Sequence, residues 1–95
     1  MSSNVQDITG PIIVVAHAIA KPGKEDIVAD RIAKIRDHAL SDKEPGTLTY
    51  RITRFGAKFA IFEQYENADA YKHHVAGPIS QVAAEKDELL EVLLQ

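Results

Sequence analysis

The chain contains no cysteine and no tryptophan. Without thiols there is no disulfide to brace the fold, no zinc–thiolate centre and no thiol nucleophile. No apolar run approaches the length of about 18 residues that marks a bilayer-spanning helix. The first seven residues, Met-Ser-Ser-Asn-Val-Gln-Asp, carry no basic group, so no export or import signal is read there. Nor is there an excess of either charge: 11 Lys+Arg against 14 Asp+Glu leave a formal net charge of −3. That balance supplies no basic patch for nucleic acid and no cationic stripe for a membrane. Neither is expected as a partner, and the cytoplasm is the default location.

What is present fits one domain of 95 residues. A chain this short buries only about 60–65% of the surface its unfolded form exposes. Its core is therefore thin, and association with a second copy is the usual compensation. Residues 1–10 read as a flexible N-terminal segment and residues 11–95 as the domain.

Four β-branched residues in Ile12-Ile13-Val14-Val15, bounded by Gly10-Pro11 and Pro22-Gly23, predict a buried strand. Ile13, Val15, His17 and Ile19 share one face, and Ile12, Val14, Ala16 and Ala18 the other. Both are apolar, so both call for cover. From Lys24 to about Leu40 the period becomes helical, with Val28, Ile32, Ile35 and Ala39 on one side. The charged side of that helix reads as solvated. Pro45-Gly46 ends it. Thr47 to Arg54 alternates with period two, placing Leu48, Tyr50 and Ile52 together. After a short turn, Lys58 to Tyr65 returns as its antiparallel partner. Asn67 can cap a short helix from about Ala68 to Ala76. Gly77-Pro78 interrupts it, and a second helix covers roughly 79–86. The apolar tail, Leu89 to Leu94, extends that helix or forms a strand buried on both faces. The order β-α-β-β-α-β predicts an α+β, ferredoxin-like fold: a four-stranded antiparallel sheet with its helices on one face. Ninety-five residues cannot cover the other face, which suits a homodimer.

Helical phase separates the two adjacent histidines. His74 lies with Tyr71, Val75 and Pro78, toward the sheet; His73 lies with Asp69 and Lys72, toward solvent. An imidazole titrates near pH 6.5 and suits a general base. Glu63, a carboxylate on an apolar strand, needs a partner. It can orient His74, bind a substrate hydroxyl, or pair with Arg51 or Arg54. Tyr50 presents a ring to the core and a hydroxyl to any pocket. Tyr65 and Tyr71 are placed to stack on a flat substrate or simply to pack. His17 is a candidate second polar pocket group or an ordinary core histidine, and His38 is assigned no role. No cluster of His and carboxylates has metal-ligand spacing, so no metal is expected.

The segments Lys21-Pro22-Gly23-Lys24, Glu44-Pro45-Gly46 with Tyr50, and Phe59-Ala60-Ile61-Phe62-Glu63-Gln64-Tyr65, followed by His74 and Pro78, resemble the antibiotic biosynthesis monooxygenase (ABM) domain. The likeness spans residues 11–95. It implies a dimeric α+β barrel with a pocket between sheet and helices in each subunit. It also implies Glu63 and His74 as site residues, with Tyr50 beside them. Members include cofactor-independent oxygenases of quinols and polyketide phenols. The expectation is therefore a cofactor-free monooxygenase acting on a quinol or polyphenol with O₂, with His74 as base and Glu63 in support. Tyr50, His17, Tyr65 and Tyr71 would bind substrate. The same histidine would also serve an isomerase or cyclase, and a non-catalytic ligand-binding barrel is a third reading. Two departures stand out. Ile79 replaces the second histidine that many relatives carry after the proline. The missing tryptophan, with His17 rather than Asn in the first strand, argues against the haem-degrading branch.

Overall fold

The structure is a computed structural model that describes residues 9–94. The segment expected to be flexible lies mostly outside the described residues. The elements are β1 (Ile12–Ala20), α1 (Glu25–Ala39), β2 (Thr47–Phe55), β3 (Lys58–Tyr65), α2 (Ala68–Val75), α3 (Ile79–Leu89) and β4 (Leu90–Leu94). The strands form one antiparallel sheet in the order β2-β3-β1-β4. This is the ferredoxin-like arrangement, with the second helical region split in two at Gly77-Pro78.

The sheet's inner face is set by period-two alternation. On β1 it carries Ile12, Ala16, Ala18 and Ala20, and on β3 it carries Phe59, Ile61, Glu63 and Tyr65. Helix α1 lays Val28, Ile32, Ile35 and Ala39 over it. Each of the larger aliphatic side chains contributes about 1.5–3 kcal/mol by leaving water. Arg31 reaches Glu85 across the helix layer, and Arg54 reaches Asp26. These exposed pairs add little.

Three expectations are corrected. Leu48 does not share the face of Tyr50. A bulge between Thr47 and Thr49 shifts the register, so Thr47 pairs with inward-facing Tyr65 and Leu48 turns to solvent. The tail resolves as helix followed by strand: α3 continues to Leu89 and β4 begins at Leu90. That strand is not buried on both faces; it is an edge strand whose Val92, Leu93 and Leu94 are exposed in the single chain. Finally, His17 lies on the outer face of β1 with Ile13 and Val15, exposed and away from the helices. Both faces of β1 are apolar, so alternation alone could not say which one the helices cover.

The loop between α1 and β2 is pressed against α2. Gly46 accepts the Glu66 N–H at 2.9 Å through its carbonyl. A Cβ on Gly46 would stand 2.4 Å from the Ala70 Cβ. Only glycine allows this approach, and it carries Glu44 beneath the helix. Gly46→Ala should therefore destabilise the domain by about 1–3 kcal/mol, the cost of forcing an extra carbon into packed structure. A urea unfolding midpoint equal to the parent's would show that the loop and α2 yield freely.

Candidate active site

Three elements bring a buried polar cluster to the end of β3. Glu63 comes from the inner face of that strand, and Tyr65 stands two residues on. Their side chains therefore lie on the same face. Helix α2 starts immediately afterwards: the Asn67 side chain accepts the Ala70 N–H at 2.8 Å and fixes the helix phase. That phase delivers His74 to the sheet side and leaves His73 exposed. Glu44 arrives from the loop that Gly46 anchors.

The resulting contacts are close. His74 Nδ1 donates to Glu44 Oε1 at 2.7 Å. Glu44 accepts as a carboxylate, which assigns the proton to Nδ1. The other ring nitrogen, Nε2, lies 3.6 Å from Glu63 Oε1 and makes no hydrogen bond among the described residues. The Tyr65 hydroxyl donates to Glu63 Oε1 at 2.5 Å. The His74 ring is held between Tyr50 and Tyr65, with centroid distances of 5.6 and 5.3 Å, and Tyr71 packs edge-on against Tyr65. Glu63 and His74 are each 1% exposed, and Glu44 is 3% exposed. Neither Arg51 nor Arg54 pairs with Glu63; Arg54 is directed to Asp26 and to the carbonyl of Gly56.

A cavity of about 330 Å³ opens beside this cluster, between the sheet and helices α1 and α3. Its walls are mainly aliphatic, with Ala16, Ala18, Ile32, Ile61, Val82 and Leu89 among them. The volume is within the range of small-molecule sites. Glu63, Tyr50 and Tyr71 supply polar groups at its wall, with Arg31 and Ser80 further round. His74 and Tyr65 do not line it. They stand one layer behind, in contact with Glu63. The group expected to face a ligand as base thus stands behind, and the expected supporter is the one at the wall. His17 is absent from the lining because it faces the opposite side of the sheet.

Burial dominates the electrostatics. It raises the Glu63 pKa above its ordinary value, against the pull of the Tyr65 hydrogen bond and the His74 ring; the nearby Glu44 charge raises it further. Burial likewise pushes Tyr50, Tyr65 and Tyr71 upward, reinforced in each case by the Glu63 charge. The phenols therefore stay protonated, and Tyr65 donates to Glu63. Glu63 is the carboxyl group at the cavity wall, and burial disfavours its charged form. Among the described residues no three His, Cys, Asp or Glu side chains converge as a metal site.

The sequence pattern assigns no site role to Glu44, which enters only as part of the Glu44-Pro45-Gly46 motif, or to His38, whose Nδ1 shares a hydrogen bond with Glu44 Oε2. A signal was available in Glu44-Pro45-Gly46, since a glycine needed for close approach brings its neighbours along.

A four-stranded sheet with helices on one face encloses an apolar cavity with a buried acid–imidazole cluster, in a small α+β domain. The chain belongs to the antibiotic biosynthesis monooxygenase family, whose profile matches residues 11–86. Among solved structures it resembles a protein from Shewanella oneidensis, with 20% identity and a TM-score of 0.81 over 92% of this chain and 87% of that one. A candidate antibiotic biosynthesis monooxygenase from Caulobacter crescentus shares 24% identity, with a TM-score of 0.77 over 90% and 87%. Another from Bacteroides thetaiotaomicron shares 16%, with a TM-score of 0.78 over 88% and 83%. At these identities the likeness speaks to the fold. No curated protein sequence matches the chain.

Proposed function

We propose that the domain is a monooxygenase that needs no cofactor and oxidises a quinol or polyphenol with O₂. The observation that carries this reading is the position of Glu63: a buried carboxylate with a raised pKa at the wall of an apolar cavity. A phenolic substrate would fill the cavity with its ring and bring its hydroxyl to Glu63. Proton transfer to the carboxylate leaves an electron-rich phenolate that reduces O₂ directly. With a quinol, the products are a hydroxylated quinone and water, and the substrate supplies every electron. Tyr50 and Tyr71 donate to the developing oxyanion, His74 supports Glu63 from behind, and the aliphatic walls exclude water. The monooxygenase description of the matched family supports an oxygenase reading. The test is turnover of hydroquinones under ¹⁸O₂. One labelled oxygen is expected in the product and the other in water. O₂ uptake without label in the product would contradict a monooxygenase.

We propose further that the working form is a homodimer joined through the outer sheet face. Facing pairs Val15–Phe62 and Ile19–Val92, together with Ile13 and Leu94, make an apolar stripe that no helix covers. A second copy presents the same stripe and buries both by a twofold rotation. Val15→Asp should convert the dimer to monomer in sedimentation velocity. A wild-type protein that sediments as a monomer at micromolar concentration would remove this proposal.

A further inference from the structure

Four titratable side chains form a line from the protein surface to the cavity. His38, at the end of α1, is 28% exposed and opens on a surface groove beside Lys43, His73 and Gly77. Its Nδ1 contacts Glu44 Oε2. Glu44 Oε1 accepts from His74 Nδ1, and His74 Nε2 faces Glu63 Oε1 across 3.6 Å. Glu63 is at the cavity wall. One buried carboxylate is held between two imidazoles, and the inner imidazole's second nitrogen has no hydrogen bond among the described residues, so it is free to receive a proton from Glu63.

We propose that His38, Glu44 and His74 form a proton relay between the surface groove and Glu63. The inference rests on Glu63 being the group that takes the substrate proton. The phenol O–H bond breaks and Glu63 becomes a carboxylic acid. Closing the 3.6 Å gap by less than 1 Å, roughly to hydrogen-bond length, lets Glu63 pass its proton to His74 Nε2. The resulting imidazolium releases its Nδ1 proton to Glu44 Oε1. At rest His38 Nδ1–H donates to the Glu44 carboxylate; once Glu44 is neutral, the part-exposed His38 moves that proton to Nε2 through solvent, Glu44 protonates the freed Nδ1, and His38 gives its Nε2 proton to water. Removing the proton from the cavity keeps the phenolate from being reprotonated before O₂ arrives. When the reduced oxygen needs a proton to leave as water, the same line runs in reverse and restores each tautomer. The groups facing His74 are Glu44 from the loop, Glu63 and Tyr65 from β3, and Tyr50 from β2; His38 is faced by Glu44, with Lys43 and His73 nearby in the groove. The tyrosines remain protonated and do not compete.

The relay has a signature that packing alone lacks: an external base can replace its outermost member. His38→Ala should slow solvent exchange of the buried His74 Nδ1 proton at least tenfold, read by ¹⁵N-histidine NMR. Millimolar imidazole in the buffer should restore it. Glu44→Gln keeps the shape but cannot carry a proton, so it should slow the same exchange without rescue. In turnover with a hydroquinone, His38→Ala should lower kcat with KM unchanged, and imidazole should recover the loss. Exchange at the parent rate in His38→Ala, or loss without imidazole rescue, overturns the relay. Absence of turnover in every form overturns the oxygenase reading instead, and the exchange measurement still decides the relay.

Discussion

Glu63→Gln is expected to make the domain more stable at neutral pH and much less active. The parent carboxylate is buried, and its pKa is raised chiefly by desolvation. A raised folded-state pKa means that the folded protein binds the proton more tightly than the unfolded chain. Relative stability is then fully present below the ordinary value of 4.5 and is lost as pH rises through the folded pKa. Glutamine accepts the Tyr65 hydroxyl yet carries no charge, so it escapes this loss. The stability difference between variant and parent should be smallest in acid and grow above about pH 4.5. Each kcal/mol gained would raise the melting temperature by about 4–8 °C in a domain of this size. Turnover should fall by roughly 10²–10⁴-fold, the usual contribution of a positioned general base. Opposed changes in stability and activity identify a functional group held at a cost. A variant that melts below the parent at every pH would mean that Glu63 is a structural acid.

His74→Ala is expected to be the most destabilising single change in the cluster, by about 3–5 kcal/mol. The substitution opens a void between Tyr50 and Tyr65 and removes the inner donor of Glu44, which is 3% exposed. Glu63 also loses the imidazole that opposes the upward drift of its pKa. Domains of this kind have about 5–15 kcal/mol in total, so the melting temperature should drop by something on the order of 15 °C. His73→Ala, one residue earlier, is the comparison. That side chain is exposed and among the described residues holds only the Lys43 carbonyl, at 3.0 Å, so its loss should stay within about 0.5 kcal/mol. Urea unfolding of both variants checks this. Equal effects would show that the phase of α2 is not what separates the two histidines.

Much of this arrangement was legible from periodicity. The alternation of β2 and β3, the stripe on α1 and the punctuation at Gly77-Pro78 locate the elements, and the phase of α2 points His74 inward. What escaped was decided by events at longer range. The bulge that turns Leu48 outward depends on how β2 meets Tyr65, not on the local pattern. The side taken by His17 depends on which of two apolar faces the helices cover. Glu44 reaches His74 across 30 positions in sequence, because Gly46 lets a loop pass against Ala70. The layering of the site, with Glu63 in front and His74 behind, follows from where α1 and α3 leave space. No spacing within β3 or α2 encodes that.

Proton removal by Glu63 from a phenol bound in the apolar cavity would leave a phenolate that is directly visible. The most direct measurement is the anaerobic absorption spectrum of a naphthalene hydroquinone mixed with excess protein at neutral pH. The parent should give the red-shifted phenolate band and Glu63→Gln the neutral phenol spectrum, both forms binding the ligand. A neutral spectrum for the bound ligand in the parent, or a phenolate band of equal strength in the variant, would contradict it.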